Sequence, residues 1–591
     1  MLSFPPGRPL NRVRTGIQGL QREVFIAVLY GNLTGLKAHE IHSLERIYRR
    51  KVPPSEIVTA ELGRYLAAIS RETARQTGVI IDRRGTIQFV VVGDSRSVTI
   101  PALSDFSLGP KRLRGLRLVH THLNDEPLTA DDMTDLALLR LDVMAAIGVL
   151  PDGMPGRIYL AHLLPPPEAG RPASGQAWMK LPPIQFHQLN VDFASFIGAL
   201  EDEMIRAGAG RTASGSRPVA TGVGGRPEAG RPAERAILIS VAAKGTRGAQ
   251  KEAMAELAEL AASADVTVLD TVMQRPERIN PKYLMGEGKL KEIIITALQK
   301  GATALIFDQE LTPSQMRSIS ELAEIKVIDR SQLILDIFAS RAHSRDGKVQ
   351  VELAQLKYRL PMLAGKGTAL SRLMGGIGGR GPGETKLETD RRRVRDRISR
   401  LEKLLKDLSR ARRQRKARRN ETGLPIISIV GYTNAGKSTL LNALTKSNTT
   451  VENRLFATLD TASRRLRFPR EKDVIITDTV GFIRDLPKPL FAAFKATLEE
   501  LEDADILLHV VDASNPRFEE QMESVERILK ELGLAEKERL TVFNKSDLAD
   551  RDTAESEARS HGAVSVSALD KKTFPQLLKE LERRLWPGLE D

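Results

Sequence analysis

Residues 425–445 read PIISIVGYTNAGKSTLLNALT, a β-branched apolar run that enters a glycine-rich loop and opens into an apolar, helix-like segment. The run from Gly431 to Ser438 matches the spacing G-x-x-x-x-G-K-S in full, and few folds accommodate it. A buried strand has to deliver the loop, and the helix that follows has to aim its N-terminal amides at an anion. Gly431, Tyr432, Thr433, Asn434, Ala435 and Gly436 are then expected to wrap phosphates with backbone N–H groups. Lys437 adds a positive charge, and Ser438 offers a hydroxyl to Mg2+. The expectation is a P-loop domain of α/β class.

Downstream segments extend this expectation to one nucleotide. In DVIITDTVGF, Asp478 ends another strand, where its carboxylate would hold Mg2+ through water; Thr479 and Val480 lead to Gly481, whose amide would meet the γ-phosphate. In VFNKSD, Asn544, Lys545, Ser546 and Asp547 follow a further strand. An Asp there accepts from guanine N1 and N2, and adenine leaves it unpaired. Ser567 and Ala568 complete the base site. Between the loop and Asp478 lies NRLFATLD, in which Phe456, Ala457, Leu459 and Asp460 flank Thr458, at the place of a switch threonine that ligates Mg2+ only with GTP bound. This order of motifs is the signature of a Ras-like GTPase. It assigns catalysis to Lys437, Thr458 and Gly481, and the metal to Ser438, Thr458 and Asp478. One position departs from that class: the residue after Asp-x-x-Gly is commonly the Gln that orients water, and here it is Phe482, which has no hydrogen-bonding group. Intrinsic hydrolysis is therefore expected to be slow unless a partner supplies the positioning.

The rest of the chain divides by composition. At 591 residues it is long enough for several domains. Residues 1–205 show alternating strand-like and helix-like runs, as in an α/β domain; 206–232 mix Gly, Pro, Ala and Arg and read as a linker; 233–347 alternate β-branched runs with helical patterns. In 348–422 the period changes. Val349, Leu353, Leu356 and Leu360, and then Val394, Ile398, Leu401, Leu405 and Leu408, are spaced by 3 and 4, so each segment has one apolar stripe and the pair forms an antiparallel helical hairpin that Pro361 interrupts. The connection from Ala364 to Gly383 is rich in glycine and longer than structureless connections usually are. The second arm carries Arg391, Arg392, Arg393, Arg395, Arg397, Arg400, Lys403 and Lys406, then RARRQRKARR. With 89 Lys+Arg against 75 Asp+Glu the net charge is +14, and its concentration here favours a polyanionic partner. Residues 423–591 form the GTPase domain. No cysteine means no disulfide, thiolate nucleophile or thiolate-ligated metal. No apolar run approaches a membrane helix and the start lacks a signal-peptide core, so the expected location is the cytoplasm, without membrane or DNA partners and as a monomer.

From about Ala236 to Trp586 the sequence resembles the HflX family of ribosome-associated GTPases, in DQELTPSQ, RSQLILDIFASRA, GKVQVELAQLKYRLP, SRLMGGIGGRGPGETKLETDRRR, GYTNAGKSTL, FATLDTASRR and DTVGFIRDLP. The resemblance implies an α/β subdomain and helical hairpin ahead of the GTPase domain, and GTP and Mg2+ as ligands. It also implies binding to the large ribosomal subunit with the glycine-rich tip reaching toward the peptidyl-transferase centre, and splitting of stalled or idle ribosomes. A non-splitting, RNA-binding GTP switch in ribosome biogenesis is the alternative. Some members have a further domain after the GTPase, whereas this sequence runs only a little past FPQLLKELERRLW; residues 1–205 are an extension that shorter members lack. That extension contains VHTHLNDEPLTADD, where His120 and His122 share one face of a strand and Thr129 and Asp132 follow, a pattern similar to the His-x-His and Ser-x-x-Asp of JAMM-type metallopeptidases. The match is imperfect: Leu123 stands for the usual Pro, the spacing is short, and no Glu has a secure place. A metal-dependent activity of the extension is thus a further alternative to a purely structural His pair. Gly286–Lys289, GEGK, is too short for a second phosphate loop and reads as a turn into a helix.

Overall fold

The computed structural model describes residues 12–13, 24–25, 28–101, 103, 106, 113–165, 177–213, 234–243, 246–323, 325–363, 386–420, 423–445, 456, 462–468, 472–479, 481–484, 487, 490–491, 499–548 and 551–587. The glycine-rich segment from Ala364 to Gly383 and most of the linker lie outside these residues, as do Ala457, Thr458, Leu459, Asp460 and Val480. Contacts divide the chain into two units: Met1–Arg235 with Met285–Thr303 and Ile319–Lys326, and Ala236–Leu284 with Ala304–Ser318 and Val327–Asp591.

In the first unit β1 (Arg12–Val13) pairs with β2 (Val24–Phe25). A mixed sheet is built from β3 (Leu29–Gly31), β4 (Thr77–Asp82), β5 (Ile87–Val92), β6 (Leu116–His122), β7 (Val143–Val149), β8 (Pro155–Leu163), β9 (Trp178–Lys180) and β10 (Ile184–Gln185). Its order is β10-β8-β7-β6-β4-β5-β3, with β9 beside β8. Every residue of β6 and β7 is buried, as expected of central strands covered on both faces. The helix Ala60–Thr73 starts where Thr59 Oγ1 accepts the Leu62 N–H at 3.2 Å and stops at Ala74, whose φ of 51° is left-handed. Its buried Leu62, Leu66 and Ile69, spaced by 4 and 3, form its core-facing stripe. Gly286 is the N-cap of the helix Glu287–Lys300, so GEGK is a turn into a helix.

The second unit carries two sheets and the hairpin. The first sheet has the order β12-β11-β13-β14, from β11 (Arg235–Val241), β12 (Thr267–Gln274), β13 (Ala304–Phe307) and β14 (Lys326–Asp329), with β11 parallel to β13. The hairpin consists of the helices Arg345–Arg359 and Lys386–Asn420. Val349 and Leu353 of the first bury against Ile398 and Leu401 of the second, with Leu356, Leu360, Val394, Leu405 and Leu408 packed around them, the stripes that the 3-and-4 spacing marks. Ion pairs Arg397–Glu352 at 2.8 Å and Lys357–Glu402 at 2.7 Å flank this seam. The first helix gives way to a single 3-10 turn at Pro361–Leu363, because proline has no N–H to continue the ladder. The last sheet has the order β16-β17-β15-β18-β19-β20, from β15 (Ile426–Gly431), β16 (Ala462–Arg467), β17 (Asp473–Asp478), β18 (Ile506–Asp512), β19 (Arg539–Asn544) and β20 (Val564–Ser565). Only β16 runs antiparallel among these pairs. Among the described residues no helix is long and apolar enough to cross a membrane.

Candidate nucleotide-binding site

β15 lies between β17 and β18, so the chain leaves it to build the sheet in both directions. Ligands of parallel α/β sheets bind at the carboxyl ends of the strands around such a point. Gly431 ends β15, Asp478 ends β17 and Asn544 ends β19, which brings three motifs far apart in sequence to one edge.

Two glycines are imposed by this packing. Gly431 has φ of +152° and a Cβ on it would lie 2.2 Å from the Val510 carbonyl oxygen; Gly436 has φ of +86° and its Cβ would lie 2.3 Å from Asn544 Nδ2. The helix Lys437–Thr445 starts directly after Gly436. Lys437 is buried and its ammonium donates to the Tyr432 carbonyl at 2.7 Å. Burial pushes its pKa down to about 8, against the opposing pull of Asp478. Ser438 Oγ donates to Asp478 Oδ2 at 2.6 Å, and Thr479 Oγ1 donates to the Ile429 carbonyl at 2.6 Å. Ser438 and Asp478 thus present a hydroxyl and a carboxylate side by side, the all-oxygen donor set that suits Mg2+.

The segment after Asp478 is laced to the loop by its backbone. Thr433 N donates to the Phe482 carbonyl at 2.7 Å, and Phe482 N donates to the Gly431 carbonyl at 3.1 Å. The Phe482 side chain is 1% exposed, and Gly481 sits so close that a Cβ there would lie 2.9 Å from Lys437 Nζ.

At the other end of the site Ser567 Oγ donates to Asp547 Oδ1 at 2.6 Å, and Ser546 N donates to the Val566 carbonyl at 3.2 Å. Lys545, at φ of 62°, places Nζ 2.7 Å from Asp512 Oδ2. Asn544, assigned to the guanine from its motif, stands at this end of the site. Its Nδ2 donates to the Ala435 carbonyl and its Oδ1 accepts from Ala568 N, both at 2.9 Å, so its amide is engaged with backbone at both ends and ties the phosphate loop to the Ser567–Ala568 segment. Phe456, assigned to the nucleotide from its place beside Thr458, has its ring buried against Phe338, with centroids 4.6 Å apart, where an apolar ring gains from the core.

Sequence reading missed a polar cluster beneath the loop. The Tyr432 hydroxyl donates to Glu256 Oε1 at 2.7 Å and accepts from Arg484 N at 2.8 Å. Arg330 donates to the Arg484 carbonyl at 2.9 Å and pairs with Glu256 at 3.1 Å and Asp308 at 3.5 Å. These contacts join the four-stranded sheet and its helices to the phosphate loop and to the segment after Gly481.

Three family models match along the chain: "GTP-binding GTPase N-terminal" over 251–339, "GTP-binding GTPase Middle Region" over 341–419, and "50S ribosome-binding GTPase" over 426–545. GTPase HflX of Caldanaerobacter subterraneus subsp. tengcongensis is 46% identical over 363 residues, which is 61% of this chain and 83% of that protein. The chain belongs to the HflX GTPase family. GTPase HflX of Escherichia coli K12 is 42% identical over 359 residues, 60% of this chain and 83% of its own length. A GTP-binding protein of Sulfolobus solfataricus, crystallised with GDP, is 26% identical over 59% of this chain and 98% of that one, at a TM-score of 0.34. Within this HflX chain, Glu256, Asp308 and Arg330 fall in the N-terminal family region, while Tyr432 and Arg484 fall in the GTPase region. The first 250 residues lie outside all three matched regions.

Proposed function

We propose that this HflX-family GTPase converts GTP and water to GDP and phosphate, and uses the bound nucleotide as a switch for docking on the large ribosomal subunit and splitting stalled or idle ribosomes. The observation that carries this reading is the burial of Phe482 beside Gly481. An apolar ring stands where a water-orienting Gln is usual, so bound GTP persists until another surface completes the site. The basic helix Lys386–Asn420 supports an RNA partner. The family that the GTPase region matches, "50S ribosome-binding GTPase", supports the large subunit in particular.

In this reading the amides of Gly431–Gly436 and the Lys437 ammonium hold the phosphates, and Gly481 N–H meets the γ-phosphate. Asp547, oriented by Ser567, accepts from the guanine N1–H and N2–H, while Asn544 holds the two loops together. Ser438 and Thr458 would ligate Mg2+ and Asp478 would hold it through water; when bound, the ion neutralises charge on the β- and γ-phosphates. Lys437, its pKa lowered to about 8 by burial, stays charged near neutrality, and the phosphates it meets stabilise that charge.

Turnover assays test the reading. The protein alone should hydrolyse GTP slowly, and saturating large subunits should raise the rate by roughly two orders of magnitude or more, within the reach of a partner-completed site. Deleting Ala364–Gly383, joined by a short turn, should remove most of the stimulation and spare the basal rate. Fast turnover without subunits, or equal stimulation of both proteins, contradicts it. Stimulation without conversion of 70S particles to subunits would favour a non-splitting switch.

A further inference from the structure

We propose that His120, His122 and Asp132 in the extension bind one divalent transition-metal ion, zinc by the chemistry of the donors. His120 and His122 are two residues apart on β6, so their rings leave the same face of the strand. Their Nε2 atoms are 3.0 Å apart. Asp132, in the first turn of the helix Ala130–Leu139, places Oδ1 3.3 Å from His120 Nε2 and Oδ2 3.5 Å from His122 Nε2. Donors about 2.1 Å from a tetrahedral zinc ion lie about 3.4 Å from one another, and the Nε2–Nε2 separation and the two imidazole–carboxylate separations, one to each Asp132 oxygen, lie near that value, so the three side chains converge closely enough to share one ion.

A hydrogen-bonded cluster accounts for this arrangement less well. Two imidazole Nε2 atoms facing each other share at most one proton, and protonating both to serve the carboxylate would set two N–H groups against each other. A metal ion at the common point satisfies both lone pairs. The second imidazole is already set for it: His122 Nδ1 lies 3.1 Å from the Glu126 carbonyl oxygen, which can only accept, so the proton sits on Nδ1 and the Nε2 lone pair faces the cluster. His120 is fully buried and its Nδ1 has no hydrogen-bond partner among the described residues, so the cluster is the polar engagement of that ring there. Asp132 is fixed from behind, since Thr129 N and Thr129 Oγ1 donate to its Oδ2 at 2.7 and 2.8 Å as the helix cap.

Two imidazoles and a carboxylate suit zinc and its neighbours among the transition metals, not Ca2+ or Mg2+, which take oxygen donors. Three protein ligands leave a fourth position, the pattern of an open rather than a closed zinc site, and that position takes an oxygen donor such as water or a carbonyl. Asp132 is 13% exposed, which puts the approach on its side of the cluster.

The test uses the full chain without a polyhistidine tag, stripped by chelator and titrated with Zn2+ against a chromophoric competitor. The expected result is one ion per chain, a rise in melting temperature with Zn2+, and a visible tetrahedral spectrum with Co2+. His122→Gln and Asp132→Asn should each weaken Zn2+ at least the ~100-fold that loss of an outer partner can reach. His39→Ala, in the exposed cluster His39, Glu40 and Glu72, should change nothing. No stoichiometric uptake by wild type, equal uptake by the folded variants, or loss of uptake in His39→Ala overturns the proposal. If neither variant folds, the wild-type Co2+ spectrum decides: a tetrahedral band supports the site and its absence overturns it.

Discussion

Asp547→Asn should lower GTP affinity by about 10⁴-fold and turn preference toward xanthosine triphosphate. The Ser567 hydroxyl donates to Asp547 Oδ1 at 2.6 Å, so the carboxylate is held at a fixed angle and is not free to rotate away from a mismatch. In the variant an amide N–H replaces one acceptor and confronts a guanine N–H, so where the bound base covers the site two donors face each other with neither satisfied. Xanthine presents a carbonyl at C2 and restores the pairing. Direct titration with GTP, XTP and ATP reads the outcome, and unchanged GTP affinity would move the guanine site away from Asp547.

Arg330→Ala should destabilise the second unit by about 3–5 kcal/mol, the usual result of removing one partner from a buried charge cluster. The Arg330 side chain is 6% exposed, and its loss leaves Asp308, itself 7% exposed, with only the longer 3.9 Å approach of Arg484 among the cations, and Glu256 with the Tyr432 hydroxyl. Adding Glu256→Gln should recover part of the loss, because one uncompensated charge disappears with it. GTP affinity of the folded fraction should also fall, since Arg330 holds the Arg484 carbonyl beside the loop. Urea unfolding followed by circular dichroism measures the first effect. A loss below about 1 kcal/mol would class the cluster with solvent-screened surface pairs.

What was legible in the sequence follows from which constraints are local. Gly431 and Gly436 could be singled out because a phosphate loop needs backbone conformations and approaches that a Cβ forbids, and the spacing to Lys437 is set by one helix start. The hairpin was legible because Val349 and Leu353 repeat with the period of a helix, as do Ile398 and Leu401. His120 and His122 declare a shared strand face by their spacing, whereas the closure by Asp132 depends on where the next helix starts and which residue caps it. The polar cluster could not be read at all. Glu256 and Tyr432 meet across 176 positions with no periodicity to connect them. The motif marks Asn544 for the base site, while the backbone groups that its amide also engages are a property of the folded loops. Strand order in the extension is likewise absent from hydrophobic patterning, which sets which residues face a core and not which strands are neighbours.

Sedimentation of the full chain with large ribosomal subunits, in GDP or in a non-hydrolysable GTP analogue, bears most directly on the claim that GTP is a docking switch. If the subunit prefers the GTP-ordered state, linkage requires GTP to tighten when the subunit binds, by the same factor by which GTP tightens subunit binding. The protein should pellet with subunits in the analogue and remain largely in the supernatant with GDP, and pelleting should fall steeply with added salt as phosphate contacts of the Lys386–Asn420 helix are lost. Equal pelleting in both nucleotides, or none in either, would contradict it.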